Sequence, residues 1–451
     1  MKYFNKIFSH KYYPIIFSLM LAVIMSILFS PGIPHWDSLT QLLMIKNICN
    51  GTGALYSHFP LLPTFLIIPL FCITGDAFLV IFIQVFLFSF ALFFFVHSFS
   101  KSALANFITS VIIMLPINLM FSIFYVHDIK LAIAILALSA VLINKKPLWA
   151  VPVLTTLAAG TRLNFIPVIP IVIFMIYKIR HKFPTPRHFY ACIAAIVAGI
   201  FLVLAIPYIP GVKKSYNYAK GPAWEYTMLI SQNPKILESE KDYLRDNGIL
   251  TTDISNNPVD YDSMDGRITQ IMVKKLVIPG PDAFLKHYTL FIRKNFPEFI
   301  KLKFDEALKI FGIPHDFPIG PCIYACQKNL SLLPPERKMK EVGYKLSNRK
   351  LDILGKAYSQ MLMEFPWRLL QRPYIIFIIL FALSALLKNR TIIPATLVFA
   401  YHCTFIITNH AYDFRYFSPS AYIFLAMLAV SITVSIKHKS TEQDKKIPTH
   451  E

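Results

Sequence analysis

Charge is scarce in this 451-residue chain: Asp, Glu, Lys and Arg together make up 16% of it, against about 25% in average soluble proteins. Carboxylates are the scarcer sign, 25 against 45 Lys and Arg. Signature loops are missing too. The chain holds no P-loop, no G-x-G-x-x-G, no H-E-x-x-H and no G-x-S-x-G, which removes support from nucleotide-driven transport and from zinc or serine hydrolysis. Six cysteines form no metal-ligand pattern. Cys49, Cys72, Cys192 and Cys403 are isolated in or near apolar segments, where packing is the expected role. Cys322 and Cys326 are the one close pair, and C-x-x-x-C is not a usual zinc spacing. No metal site is expected, no cofactor is indicated, and a divalent metal has no support from these residues. The formal net charge of +20 would suggest nucleic acid in a soluble protein. No basic stretch is interleaved with aromatics on a polar segment, so nucleic acid is not an expected partner.

What the chain has in abundance is apolar length. Hydrophobic residues make up 55% of it, with 39 Phe and 22 Tyr, and mean hydropathy is +0.52. A membrane span needs about 20 apolar residues. Runs of that kind lie at 13–31, 77–97, 103–122, 190–208, 391–409 and 418–436, with shorter ones at 129–143, 148–159, 163–177 and 374–388. The first run is long for a signal peptide and no A-x-A-like site follows it, so it reads as a retained span. A further run, 59–74, is broken by Pro60, Pro63 and Pro69.

Basic clusters choose the topology, because cytoplasmic loops carry the Lys and Arg excess. Lys2/Lys6/Lys11, Lys145/Lys146, Lys178/Arg180/Lys182/Arg187, Lys388/Arg390 and Lys437/Lys439/Lys445/Lys446 all fall on one side only if 59–74 does not cross. The expectation is an all-α polytopic membrane protein with ten crossings, both termini cytoplasmic, the lipid bilayer as its surroundings, and 59–74 in the first external loop. Segment 209–373 breaks the hydrophobic pattern and reads as an external, mostly helical domain. The division is then 1–208 for an N-terminal membrane module bearing external loops, 209–373 for the external domain, 374–436 for the last membrane helices and 437–451 for a polar, disordered cytoplasmic tail. In an oxidising external compartment Cys322 and Cys326 are close enough in sequence to bridge.

This placement gathers the polar groups outside. Asp37, after His35 and Trp36, is a general base, a metal ligand or the N-cap of the helix that follows. His58 opens the proline-broken run and is either functional or simply solvated. His127, Asp128 and Lys130 precede a long apolar helix, either as a functional set or as charges that snorkel to water. Arg162, near Asn164, sits at a hairpin tip and suits a phosphate through forked hydrogen bonds, or a lipid headgroup. Asp413, Arg415 and Tyr416 close the membrane region, where Asp413 and Arg415 either serve a substrate or pair with each other.

An Asp in the first external loop, a H-x-P step, a second Asp in the next external loop and a large late insert together resemble the GT-C superfamily of membrane glycosyltransferases. Asp37 matches that superfamily's first-loop base or orienting group, and Asp128 its second-loop acidic residue. His58–Phe59–Pro60 is similar to the His-Pro step of protein mannosyltransferases, without the adjacent double proline. Asp413–Phe414–Arg415–Tyr416 looks like the D-x-R-Y of bacterial members. Size and the late loop are similar to the serotype-converting O-antigen glucosyltransferases. The resemblance implies an inverting hexosyltransferase of the bacterial inner membrane, active at the periplasmic face. It would take sugar from a polyprenyl-phosphate-linked donor and pass it to a glycan or glycolipid acceptor of the lipopolysaccharide kind. The alternative class is a lipid-linked oligosaccharide polymerase or a flippase.

Overall fold

The computed structural model describes residues 7–29, 36–57, 60–123, 127–213, 217–255, 271–313, 353–354, 357, 372–387, 392–408 and 414–444. The described residues are mostly helical, at 83%. Nineteen helices carry the description that follows, with one two-residue parallel pairing, Leu55 with Val212 and Tyr56 with Lys213. Every apolar run read from the sequence forms helix: α1 Tyr13–Phe29, α2 Trp36–Cys49, α3 Leu61–Thr74, α4 Phe78–His97, α5 Ala103–Ile113, α6 Pro116–Ser122, α7 His127–Asn144, α8 Ala150–Thr161, α9 Ile169–Lys178, α10 Pro186–Ala205, α17 Pro373–Leu386, α18 Ile392–Thr408 and α19 Phe414–Asp444. Among the described residues four segments are long and apolar enough to cross a membrane: Phe78–His97, His127–Asn144, Pro186–Tyr208 and Pro419–Ile436. A fifth joins them if the bent pair α5–α6 is one span. The remaining apolar helices are shorter, at 10–17 residues.

Two expectations change in detail. The run 103–122 is not straight: α5 and α6 meet at 70°. Pro116 at the start of α6 has no N–H to continue the ladder, and Asn118 Nδ2 donates to the carbonyl of Ile112 instead, at 2.6 Å. The tail is not wholly irregular either, since α19 runs on to Asp444. Lys, Glu and Gln extend an existing helix at little cost, because nucleation has already been met upstream.

Side-chain contacts give the helices their directions. Asn106 Nδ2 of α5 donates to the Phe8 carbonyl, and His97 Nε2 at the end of α4 bonds the Asn106 oxygen, both at 2.6 Å. Tyr13 of α1 packs edge-on to Phe93 of α4, centroids 6.0 Å apart. Asn144 at the end of α7 donates to Ser98 at 2.8 Å. Lys11, Lys101, Lys145 and Lys146 adjoin these residues, so one end of the bundle is basic. At the other end Arg162, just after α8, bonds Asp128 in the first turn of α7. Gly160 meets Leu62 there so closely that a Cβ would sit 2.9 Å from the Leu62 Cβ. Helix α3 therefore begins beside the end of α8 and runs through Gly75 into the start of α4. Both of its ends lie at the Asp128 end of the bundle.

Helices α2 and α3 lie side by side and parallel. Gln41 Nε2 donates to Thr64 Oγ1 at 2.6 Å, 23 residues on, and Cys49 is disulfide-bonded to Cys72 at the same offset of 23. This overturns the expectation that both cysteines merely pack. The chain turns back after α2 through Gly51, whose φ of 73° only glycine adopts freely. The return strand Leu55–Tyr56 then lets α3 start level with the first turn of α2. Cys322 and Cys326 lie outside the described residues.

A second core forms from α11 Asn217–Gln232, α12 Pro234–Ser239, α13 Lys241–Asp246, α14 Thr251–Ser255, a π-helical turn at Val273–Val277, α15 Pro281–Lys294 and α16 Phe296–Ile310. Ala219, Trp224, Tyr226, Leu244, Met272, Phe284, Phe291 and Leu302 are buried in it. This lobe is tied to the bundle by the end of α16. His402 Nε2 of α18 donates to the Ile310 carbonyl at 2.9 Å, and the Tyr374 amide donates to the Phe311 carbonyl at 3.1 Å. Carbonyls that a helix C-terminus leaves over are thus taken up by the bundle.

Two expected outcomes follow from these packings. Closing a loop of this length is worth about 3 kcal/mol, so replacing Cys49 and Cys72 by Ala should lower the unfolding free energy of the purified protein by that amount; a non-reducing peptide map should show the two peptides linked. Within the lobe, burial pushes the Glu306 carboxyl up from its usual 4.5 to about 7. A raised carboxyl favours its protonated form in the fold, so its contribution is full below pH 4.5 and is lost as pH rises through about 7. Hydrogen exchange in α11 and α16 should accelerate over that window, and Glu306→Gln should flatten the dependence.

Candidate functional site

Arg162 stands where helix α8 breaks, with φ −144° and ψ 112°. Pro167 and Pro170 follow and force a 3-10 turn, Leu163–Val168, before α9. The extended residue at the break turns its side chain across to α7. Arg162 Nε donates to Asp128 Oδ1 at 3.0 Å and its terminal nitrogen to Oδ2 at 2.5 Å. The pairing is bidentate, the geometry in which a guanidinium binds a carboxylate most strongly. Asp128 is fully buried, while the Arg162 side chain keeps 21% exposure. Asp128 also occupies the first turn of α7, where the helix dipole favours a negative charge.

Lys130 shares this neighbourhood. Its Nζ is shielded from solvent, and its charge interacts with both Asp128 and Arg162. His127 is buried beside them. With both basic side chains protonated, two cations and one carboxylate stand together at a helix N-terminus, a combination suited to an anion. Each oxygen of Asp128 takes a hydrogen bond from Arg162, so the carboxylate anchors the guanidinium. The hairpin-tip arginine thus has a protein partner, Asp128, besides any phosphate or lipid headgroup it meets.

Other candidate residues reach the same end of the bundle by the course of the backbone. Trp36 and Asp37 form the first turn of α2, one turn before Gln41, which bonds Thr64 beside the Leu62–Gly160 contact. The helix begins at Trp36, so Asp37 lies within its first turn and not at the cap; its side chain is outside the described residues. Arg415 and Tyr416 lie in the first turn of α19, two turns before Tyr422, whose ring packs edge-on to Phe121 of α6 at 5.6 Å; their side chains are likewise outside the described residues. Asn164 is half-buried on the 3-10 turn. His35, His58 and Asp413 fall outside the described residues. Among the described residues, no group of three or more His, Cys, Asp or Glu is arranged to hold a metal ion.

Sequence reasoning missed a polar interior in the lobe. Lys303 pairs with Glu225, and with Glu306 at 2.8 Å, and the Tyr288 hydroxyl donates to Glu225. A neighbouring group joins Glu240 to the Tyr226 hydroxyl at 3.0 Å and to His287 at 2.8 Å, with His287 stacked on Tyr243 at 3.5 Å. The signal was a helical spacing: Glu225 and Tyr226 alternate with the apolar residues of α11, and Lys303 and Glu306 sit one turn apart on α16. These groups are enclosed in the lobe core and are read here as its structural interior.

The ion pair has a direct test. Removing one partner of a buried pair leaves the other charge uncompensated, at a cost of about 3–5 kcal/mol. Arg162→Ala should therefore destabilise the purified protein by about that much, and Asp128→Asn by less, because asparagine keeps a hydrogen-bonding oxygen. The double substitution should recover part of the loss, measured as a double-mutant cycle of unfolding free energies. Additive losses would mean that the two side chains do not depend on each other.

Compared with known proteins, the chain matches no family model, no curated protein and no solved structure.

Proposed function

We propose that this protein is a membrane glycosyltransferase that takes a sugar from a polyprenyl-phosphate carrier and passes it to a surface glycan or glycolipid. The observation that carries the reading is the positive centre of Arg162, Lys130 and Asp128 at the bundle end shared by the first turns of α2 and α19. An anion held at the end of an apolar bundle suits a phosphate whose lipid tail stays in the membrane. The GT-C likeness of the first-loop Asp, the second-loop Asp and the closing D-x-R-Y points the same way.

In this mechanism the acceptor hydroxyl oxygen bonds to the anomeric carbon as the bond from that carbon to the phosphate oxygen breaks, with inversion. The hydroxyl proton passes to Asp37. The bonding electrons leave with the phosphate, whose growing charge is met by Lys130, Arg162 and Arg415. Asp128 holds Arg162 in place and is a positioning residue.

The same reading takes the protein as a ten-span protein of the bacterial inner membrane, with the Asp128 end in the periplasm. Two features support that orientation. Lys11, Lys101, Lys145 and Lys146 gather at the opposite end, as cytoplasmic loops do. The Cys49–Cys72 disulfide joins α2 to α3, the segment whose two ends lie at the Asp128 end, and disulfides persist in oxidising compartments. Alternating helix directions support counting the shorter helices as crossings, although α8 at 12 residues is only about 18 Å long against a hydrocarbon layer of about 30 Å.

Asp37→Asn tests the assignment. Asparagine keeps the size and the helix-start preference of aspartate but takes no proton. Glycan modification in cells should fall by about 100- to 10,000-fold while the amount of membrane-inserted protein stays constant. Normal modification by this variant would defeat the base assignment. Shortened glycan chains, in place of a missing single sugar, would turn the reading to a polymerase.

A further inference from the structure

The α15–α16 hairpin of the lobe carries an apolar face that its own core does not use. Phe296, Ile300 and Phe304 recur every four residues along α16 and so share one side of it. They are 56%, 49% and 62% exposed, and Leu290 on α15 is 59% exposed. The lobe takes the other side of the helix, where Leu302 and Glu306 are buried, while Ile310 at its end packs into the bundle core. Lys286, Arg293, Lys294 and Lys301 are exposed on the same two helices, and the exposed acidic residues there are Asp282 and Glu298. Apolar side chains bordered by an excess of basic ones are the pattern of a helix that lies in a membrane interface.

The anchoring of α16 says which surface meets this face. Beyond its last residue, Phe311 packs on Phe377 at 6.0 Å, on Phe399 at 6.0 Å and on His402 at 5.1 Å. These residues belong to the apolar helices α17 and α18, inward from the lobe. The chain at Phe311 therefore sits among apolar helices of the bundle, and Phe304, seven residues earlier, is about 10 Å away along the helix axis. The exposed stripe begins where α16 leaves the apolar layer.

We propose that the α15–α16 face rests in the membrane interface at the Asp128 end, with Phe296, Ile300 and Phe304 among the acyl chains and the basic side chains on anionic phospholipid headgroups. The surface would hold the lobe down over the bundle end that bears Arg162. It rests on the bundle lying in a membrane and is independent of sugar transfer.

The test uses the full chain in lipid nanodiscs containing phosphatidylglycerol. A single cysteine at position 300 or 304 is labelled with bimane, with Cys192, Cys322, Cys326 and Cys403 replaced by Ala and the Cys49–Cys72 bridge kept. A label at Lys241, on the exposed surface of α13, serves as reference. Doxyl lipid should quench the labels at 300 and 304 by roughly twofold or more, and aqueous iodide should quench them less than the label at 241. Iodide quenching equal to that at 241 would overturn the proposal. So would protection from both quenchers, because protein and not lipid would then cover the face. On the unsubstituted protein, replacing phosphatidylcholine by phosphatidylglycerol should slow amide exchange in α15 and α16; exchange indifferent to lipid charge would remove the headgroup contact.

Discussion

The guanidinium of Arg162 on the carboxylate of Asp128 closes one end of a bundle that has little else polar to close it. Two helices that would otherwise meet through apolar side chains alone are locked at a single register, because a forked donor and a forked acceptor fit in one way. Burial makes that bond costly to form and costlier to break. The residues around it inherit its position: Lys130 two residues on in the first turn of α7, Gly160 and Leu62 at the crossing of α8 with α3, and through α3 the parallel helix α2. A charge pair inside an apolar assembly thus acts as a coordinate from which the rest of that end is laid out.

The α2–α3 pair is laid out by a second constraint. Two parallel helices close in sequence need an extended return between them, and the chain supplies it with Gly51 and the strand Leu55–Tyr56, held by Val212–Lys213 beyond α10. The Gln41–Thr64 bond and the Cys49–Cys72 bridge keep the same offset, so covalent and hydrogen-bonded links reinforce one register. That return strand also ties the segment after α10 to the first loop.

The lobe depends on the bundle in a different currency. Its core is apolar around Trp224, Tyr226 and Phe291, but it encloses carboxylates that pair with Lys303, His287 and tyrosine hydroxyls. Such interiors are stable only when complete. Its last helix passes its unsatisfied carbonyls to His402 and to the Tyr374 amide, so the end of α16 is ordered by the apolar helices of the bundle and not by the lobe alone.

Much was legible from residues alone. Every apolar run became a helix, because length and apolarity are local properties. The run 59–74 was legible as a proline-broken apolar segment from Pro60, Pro63 and Pro69, and Leu61–Thr74 of it forms the helix α3. The gathering of Asp128 and Arg162 was legible as a shared face. Their bond was not, since 34 residues separate them and no spacing rule links a helix start to a distant helix end. Nor was the Cys49–Cys72 bridge, which exists because two helices run parallel, nor the bend at Pro116, which became a 70° turn only because Asn118 could take the freed carbonyl. Local composition decided which segments are helical and apolar; tertiary structure decided which polar atoms meet, because a buried donor must find its acceptor in space wherever the chain has carried it.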